Sequence, residues 1–292
     1  MGAAVTSGAL TFREQLDAAT TTLAAAGVQT ARVDAEWLLA GLLGIGRARV
    51  RMDLSRLLSA PLARRYADLV GRRARREPLQ RILGWEEFRG LRFQLTDAVL
   101  VPRPETEALV EWALALLPPR GERRLLALDL GTGSGCIACS LAAERSNLDV
   151  IATDVSPAAA AVGRDNARAL GLVPRVRVVV ADLLEGMRDV GADLIVSNPP
   201  YLPTGLVAEL EPEVKSHEPR IALDGGVDGL ALIRRLAATA RARLRPGGVL
   251  VLETAGGAQA AAAAALLQAA GFHSVAVRAD LAAVDRFVAG GV

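Results

Sequence analysis

The chain has 292 residues, room for one large domain or two ordinary ones, and with 51% hydrophobic residues it can bury a sizeable core. A formal net charge of +2 is too mild to imply nucleic-acid binding, and no uncharged run of about 18 strongly apolar residues marks a membrane span. Aromatics make up only 3%, and Lys215 is the single lysine among the basic residues.

The first part of the chain reads as helices alone. "FREQLDAATTTLAAAG" and "ARVDAEWLLAGLLG" place apolar residues near every 3.6 positions and stop at Gly27 and Gly44. "PLARRYADLVGRRARRE" opens on Pro61, which a first helical turn tolerates. Residues 47–81 hold eleven arginines against Asp53, Asp68 and Glu77, which is either a solvated helical face or a docking surface for an acidic partner. The first residues lack the charged and apolar regions of a signal peptide, so a reducing, cytoplasmic setting is expected.

Past Gly84 the period changes. "WEEFRGLRFQLT" alternates apolar and polar residues around Arg89-Gly90 and predicts a short β-hairpin. Pro104 opens a helix to about Leu117. "RLLALDL", "DVIATDV", "RVRVVVAD", "ADLIVSN" and "VLVLETA" read as strands, with helices between most of them, the spacing of a parallel, doubly wound sheet. Pro246-Gly247-Gly248 is expected to cap the helix before the fifth of these. "HSVAVRAD" and "DRFVAGG" have no helix between them and predict an antiparallel end strand. Cys136 and Cys139 form a C-x-x-C pair, but they fall in the first turns of a helix rich in small apolar residues and are expected to pack there.

"LDLGTGSG" sets Gly131, Thr132, Gly133, Ser134 and Gly135 between a strand and a helix. Glycines there allow a tight turn and close approach of a ligand to free N–H groups. The next strand ends at Asp154, placed to hold ribose hydroxyls, and the third at Asp182, which can meet an adenine amine. An adenosine-bearing ligand is expected, either a nicotinamide dinucleotide or S-adenosylmethionine. G-x-G-x-G rather than G-x-G-x-x-G favours the second. The fourth strand runs into "NPPY", Asn198, Pro199, Pro200 and Tyr201, on the same edge of the sheet.

"NPPY" together with "DLGTGSG" resembles methyltransferases that act on a planar nitrogen, in adenine, cytosine or the glutamine amide. In such a site the Asn198 oxygen and the Pro199 carbonyl accept the two N–H bonds of the target, and Tyr201 stacks on it. Longer stretches, "REPLQRILGWEEFRGLRFQLTDAVLVPRPETEALVEWAL", "SPAAAAVGRDNARALGL" and "HEPRIALDGGVDGLALIRRL", are similar to the HemK/PrmC family, glutamine N5-methyltransferases of peptide chain release factors. The resemblance covers nearly the whole chain. It implies an α/β fold, with a Rossmann-like class I S-adenosylmethionine-dependent methyltransferase domain over residues 104–292. It also implies a β-hairpin linker over 85–103 and a small helical substrate-recognition domain over 1–84. The sheet is expected to be mostly parallel with an antiparallel last strand.

On this resemblance, Asn198, Pro199, Pro200 and Tyr201 hold the glutamine of a Gly-Gly-Gln loop. Residues 131–135, Asp154, Asp182, Leu183 and Asn198 hold S-adenosylmethionine, and "PRPETE" closes over the cofactor side. A release factor is the expected partner of a monomeric enzyme, with no metal and no direct nucleic-acid binding. A DNA or RNA amino-methyltransferase, a silent scaffold and a ribosomal-protein glutamine methyltransferase are the other readings. The chain departs from the family pattern at "ETAGGAQA", through Ala255 and Ala258, and at Ala283, while Arg286 matches. His217 is expected on a surface loop.

Overall fold

The computed structural model describes residues 10–119, 121–187 and 190–292. Its helices are α1 (Phe12–Ala25), α2 (Ala31–Leu43), α3 (Arg47–Met52), α4 (Ala60–Ala74), α5 (Leu79–Leu83) and α6 (Pro104–Leu116). They continue with α7 (Cys136–Glu144), α8 (Pro157–Ala169), α9 (Pro212–Lys215), α10 (Ala231–Ala240) and α11 (Ala258–Ala269). The strands are β1 (Trp85–Phe88), β2 (Leu91–Gln94), β3 (Leu125–Leu130), β4 (Leu148–Asp154) and β5 (Val176–Val180). β6 (Ala192–Ser197), β7 (Leu244–Glu253), β8 (His273–Ala279) and β9 (Asp285–Gly291) complete the set. The chain divides into two compact units, Met1–Gly84 with Pro212–His217, and Trp85–Glu211 with Glu218–Val292.

The first unit is helical. Thr11 opens α1 with a capping box: its hydroxyl accepts from the Glu14 N–H at 3.3 Å, and Glu14 accepts from the Thr11 N–H at 2.7 Å. Gly44 ends α2 at φ 66°, a left-handed cap that glycine adopts without a Cβ clash. Phe12, Leu16, Leu38, Leu39 and Tyr66 form the centre of its core. The Tyr66 hydroxyl donates to the Ala35 carbonyl at 2.9 Å, and burial pushes the phenol well above its ordinary pKa. Tyr66→Phe leaves that carbonyl short of a donor, and denaturant unfolding is expected to show a loss of about 0.5–1.5 kcal/mol.

Much of the arginine-rich stretch is spent inside this unit. Arg73 sits between Asp34 at 2.7 Å and Glu213 at 3.0 Å, both pairs largely buried. Arg76 reaches Glu213 at 2.5 Å, Arg49 reaches Asp53 at 2.7 Å, and Arg72 pairs with Glu77. Burial acts upward on Glu213, yet the Arg76 and Arg73 guanidiniums bring it down to about 2. These arginines are internal ties rather than one free basic face.

The second unit is a seven-stranded sheet, order β5-β4-β3-β6-β7-β9-β8, plus the β1-β2 hairpin. Neighbours from β5 through β7 pair in parallel, and β9 is antiparallel to both β7 and β8. Side chains alternate across the strands and so feed two cores. Ala127, Val150, Leu194, Val196 and Val251 face α6, α7 and the hairpin phenylalanines Phe88 and Phe93. Leu128, Leu130, Ile195, Leu250 and Leu252 face α10 and α11. The mostly parallel sheet and antiparallel last strand are as the sequence predicts. β9 is inserted between β7 and β8, so β8 forms the edge. β7 also starts earlier than expected, at Leu244. Pro246, Gly247 and Gly248 lie within its span, where the register against β6 shifts between Ala192 and Leu194.

Candidate active site

The C-terminal ends of β3, β4 and β6 meet at one cavity of about 330 Å³ in the second unit. At the end of β3 the chain turns through Gly131, Gly133 and Gly135, with φ of 74°, 52° and 80°. That region favours glycine. Gly131 and Thr132 both donate to the Thr153 carbonyl, at 2.9 and 2.8 Å, which docks the loop on β4. A Cβ on Gly135 would lie 3.3 Å from the Gly163 Cα, so the third glycine also admits close packing of α8. From α8, the fully buried Asn166 donates to the Ser134 and Gln94 carbonyls at 2.9 and 3.0 Å and accepts from the Gln94 N–H at 2.8 Å.

Asp154, at the end of β4, accepts from the Gly133 N–H and the Ser156 N–H, each at 2.9 Å. Its carboxylate lines the cavity with lone pairs to spare. Beneath the loop lies Asp129, fully buried. It accepts from Thr132 Oγ1 at 2.6 Å and the Ala138 N–H at 3.2 Å, while its Oδ1 has no partner. Burial pushes it up to about 7. At the other end, Asp182 accepts from Arg235 at 2.9 Å, and both line the cavity beside Leu183. Burial also lifts the Cys136 and Cys139 thiols to about 12, which keeps them protonated and unreactive.

β6 delivers the second half. Ser197 Oγ donates to the Leu130 carbonyl at 2.7 Å and ties the strand end to β3. Asn198 follows at the cavity wall. Its Nδ2 donates to Thr106 Oγ1 at 3.1 Å, in the first turn of α6. Glu253, at the end of β7 and 1% exposed, faces the same two side chains. Burial drives its carboxyl up to about 7, against the downward pull of Thr106, Arg286 and Asn198, and its Oε2 has no partner. Burial likewise raises Tyr201 to about 12, so the phenol stays neutral.

The turn 198–201 is held from beneath by main chain. A Cβ on Gly229 would stand 2.2 Å from the Tyr201 carbonyl oxygen, and one on Gly225 2.6 Å from the Pro200 oxygen. Gln259 Nε2 donates to the Tyr201 carbonyl at 2.8 Å and the Gly229 carbonyl at 3.3 Å. Leu202 donates to the Leu223 carbonyl at 3.0 Å, and Gly225 to the Leu202 carbonyl at 2.8 Å. "ALDGGVDG" is thus the bed of the Asn-Pro-Pro-Tyr turn.

Of the residues singled out from sequence, Gly131, Thr132, Gly133, Ser134, Asp154, Asp182, Leu183, Asn198 and Pro200 line the cavity. Gly135, Pro199 and Tyr201 stand outside its lining. Pro102, Arg103 and Thr106 bring "PRPETE" to the wall, and Glu218 holds that segment by accepting from the Val101 N–H and Arg103. His217 belongs to the helical unit. The sequence reading found no strong base near Asn198 and passed over Asp129, Thr106, Asn166, Glu253 and Gln259. "PRPETE" and "ETAGGAQ" were the signals available for three of these. No cluster of metal-ligating side chains exists among the described residues.

Residues 110–209 match the methyltransferase small domain, and a methyltransferase from Pyrococcus furiosus has the same fold. That structure aligns with TM-score 0.54 at 20% identity, covering 76% of this chain and 98% of its own. The protein is therefore of the methyltransferase class. Residues 14–84 match the PrmC N-terminal domain. The release factor glutamine methyltransferase of Cereibacter sphaeroides is 46% identical over 94% of this chain and 96% of its own length. That of Geobacter sulfurreducens is 41% identical over 96% of each. The chain belongs to the release factor glutamine methyltransferase family.

Proposed function

We propose that this enzyme transfers a methyl group from S-adenosylmethionine to the N5 amide nitrogen of the glutamine in the Gly-Gly-Gln motif of a peptide chain release factor. The observation that carries the reading is the position of Asn198. It lines the same cavity as the glycine loop and Asp154, at the end of a neighbouring strand. Family membership supports the choice of substrate.

The cavity fits the donor in size and chemistry. Its volume is within the range of small-molecule pockets. The glycine loop suits the amino-acid part, Asp154 the ribose hydroxyls, and Asp182 with the apolar Leu183 the adenine. When bound, S-adenosylmethionine supplies an electrophilic methyl on a sulfonium. The protein's task is to aim an amide nitrogen whose lone pair is delocalised. Asn198 Oδ1 and the Pro199 carbonyl accept its two N–H bonds, and proline's fixed φ aims that carbonyl. Tyr201, neutral, covers the flat face of the amide. Positioning and dipoles perform the work.

The helical unit serves as the recognition module for the release factor, in the cytoplasm, with the enzyme acting as a monomer. No helix among the described residues is long and apolar enough to cross a membrane. A labelled methyl-transfer assay offering purified release factor, ribosomal protein and DNA side by side tests the reading. Methyl on the release factor glutamine is expected, and transfer to DNA alone would overturn it. Asp154→Ala removes a charged acceptor worth about 1.5–3 kcal/mol, so calorimetry should show S-adenosylmethionine bound about 10- to 100-fold more weakly. Unchanged affinity would take Asp154 out of the donor site.

A further inference from the structure

Asn198 can serve an incoming amide only one way round. Its oxygen must face the target N–H groups, because its NH2 would confront them with a second donor. Nothing in Asn198 itself selects that face. The selection comes from behind. Thr106 Oγ1 accepts from Asn198 Nδ2 at 3.1 Å, and Thr106 is 2% exposed. Having accepted, the hydroxyl keeps one proton, and the buried Glu253 carboxylate faces both it and Asn198. With Glu253 ionised, the groups behind the Asn198 side chain thus call for a donor, and they leave Oδ1 to the cavity that Asn198 lines.

We propose that Thr106 and Glu253 are positioning residues that lock the Asn198 carboxamide with its oxygen toward the substrate, and so make the site select glutamine over glutamate. The inference rests on the amide-clamp reading above. An acceptor-only carboxylate placed where the amide belongs would meet two further acceptors, Asn198 Oδ1 and the Pro199 carbonyl. The lock also accounts for a costly feature, a carboxylate buried with one oxygen unpartnered in a wall of the site. Around it also stand Glu105, Tyr201 and Arg286; Arg286 is paired with Asp280 at 2.7 Å and acts on Glu253 as well.

The test uses the full chain with S-adenosylhomocysteine bound. Calorimetry measures its affinity for a release factor carrying either glutamine or glutamate in the Gly-Gly-Gln loop, and kcat is measured on the glutamine form. Wild type should prefer glutamine. Thr106→Val and Glu253→Met each remove one of the rear acceptors, and the double variant removes both. The preference should shrink by about tenfold or more in the double variant, as Asn198 becomes free to turn its NH2 outward. Its kcat should fall about 100-fold through misplacement of the nitrogen. S-adenosylhomocysteine affinity should hold, Thr106→Ser should recover most of the loss, and Glu253→Met should keep or raise Tm because it removes a buried carboxyl with an unpartnered oxygen.

A double variant with wild-type preference would overturn the lock, including the case where kcat alone falls. A wild-type enzyme that neither prefers nor methylates the glutamine form would remove the clamp reading itself, and the lock with it.

Discussion

Asn198→Ala is expected to lower kcat by about 10²- to 10³-fold, the scale seen when one preorganised hydrogen-bonding group of a reaction site is deleted. S-adenosylmethionine should still bind within a few-fold of wild type. Most of the donor's expected contacts come from the ends of β3, β4 and β5, and Asn198 adds one side chain to the same cavity. Loss of the side chain strands the Thr106 hydroxyl and Glu253, yet both can pair with each other or with water entering the gap. The fold should therefore survive, and Tm should change little. Single-turnover methyl transfer with saturating release factor, read beside calorimetry for the donor, separates the two effects. Near-normal turnover would show that the amide nitrogen is aimed by something else.

Gly229→Ala should damage both the fold and the reaction. The added Cβ would stand 2.2 Å from the Tyr201 oxygen and 2.6 Å from Gln259 Nε2, and the φ of 73° is one that alanine resists. Overpacking costs about 1–3 kcal/mol and the left-handed backbone about 1–2 kcal/mol more. The neighbour that must yield is main chain, so the turn 198–201 has to move. Denaturant unfolding should show a loss of about 2–5 kcal/mol. Turnover of the remaining folded enzyme should fall as the Pro199 carbonyl loses its aim. Gly247→Ala is the control: its φ is 79°, but nothing lies within 4 Å of the added atom, so only the backbone strain applies. Equal losses in the two variants would show that the close approach at Tyr201 is not what holds the turn.

The sheet was legible because its strands are short apolar runs that end in glycine, aspartate or asparagine, and two of its binding features are local in sequence. Gly131, Gly133 and Gly135 fall within five residues, and Asn198 to Tyr201 within four. Strand order was less so. Periodicity says that "DRFVAGG" is a strand, but not that it slots between β7 and β8. Pro246-Gly247-Gly248 looked like a helix stop because those residues break a regular ladder, and here they do so as an irregularity inside β7. The back of the site was hidden for another reason. Thr106 and Glu253 are 92 and 55 residues from Asn198, as 198 − 106 and 253 − 198 give, and only folding makes them neighbours. Gln259 lies in the stretch where Ala255 and Ala258 depart from the family pattern, and it still donates to the Tyr201 and Gly229 carbonyls.

The glycine bed under the Asn-Pro-Pro-Tyr turn also bears on the order in which the molecule is completed. Half of the cavity lining comes from residues 131–183, a run of β-α-β units, and the rest from segments on either side of it, Leu232 and Arg235 included. The turn 198–201 is likewise finished only by Gly225, Gly229 and Gln259, which the ribosome makes later. The cavity and the turn beside it are therefore complete only once the last third of the sequence is in place.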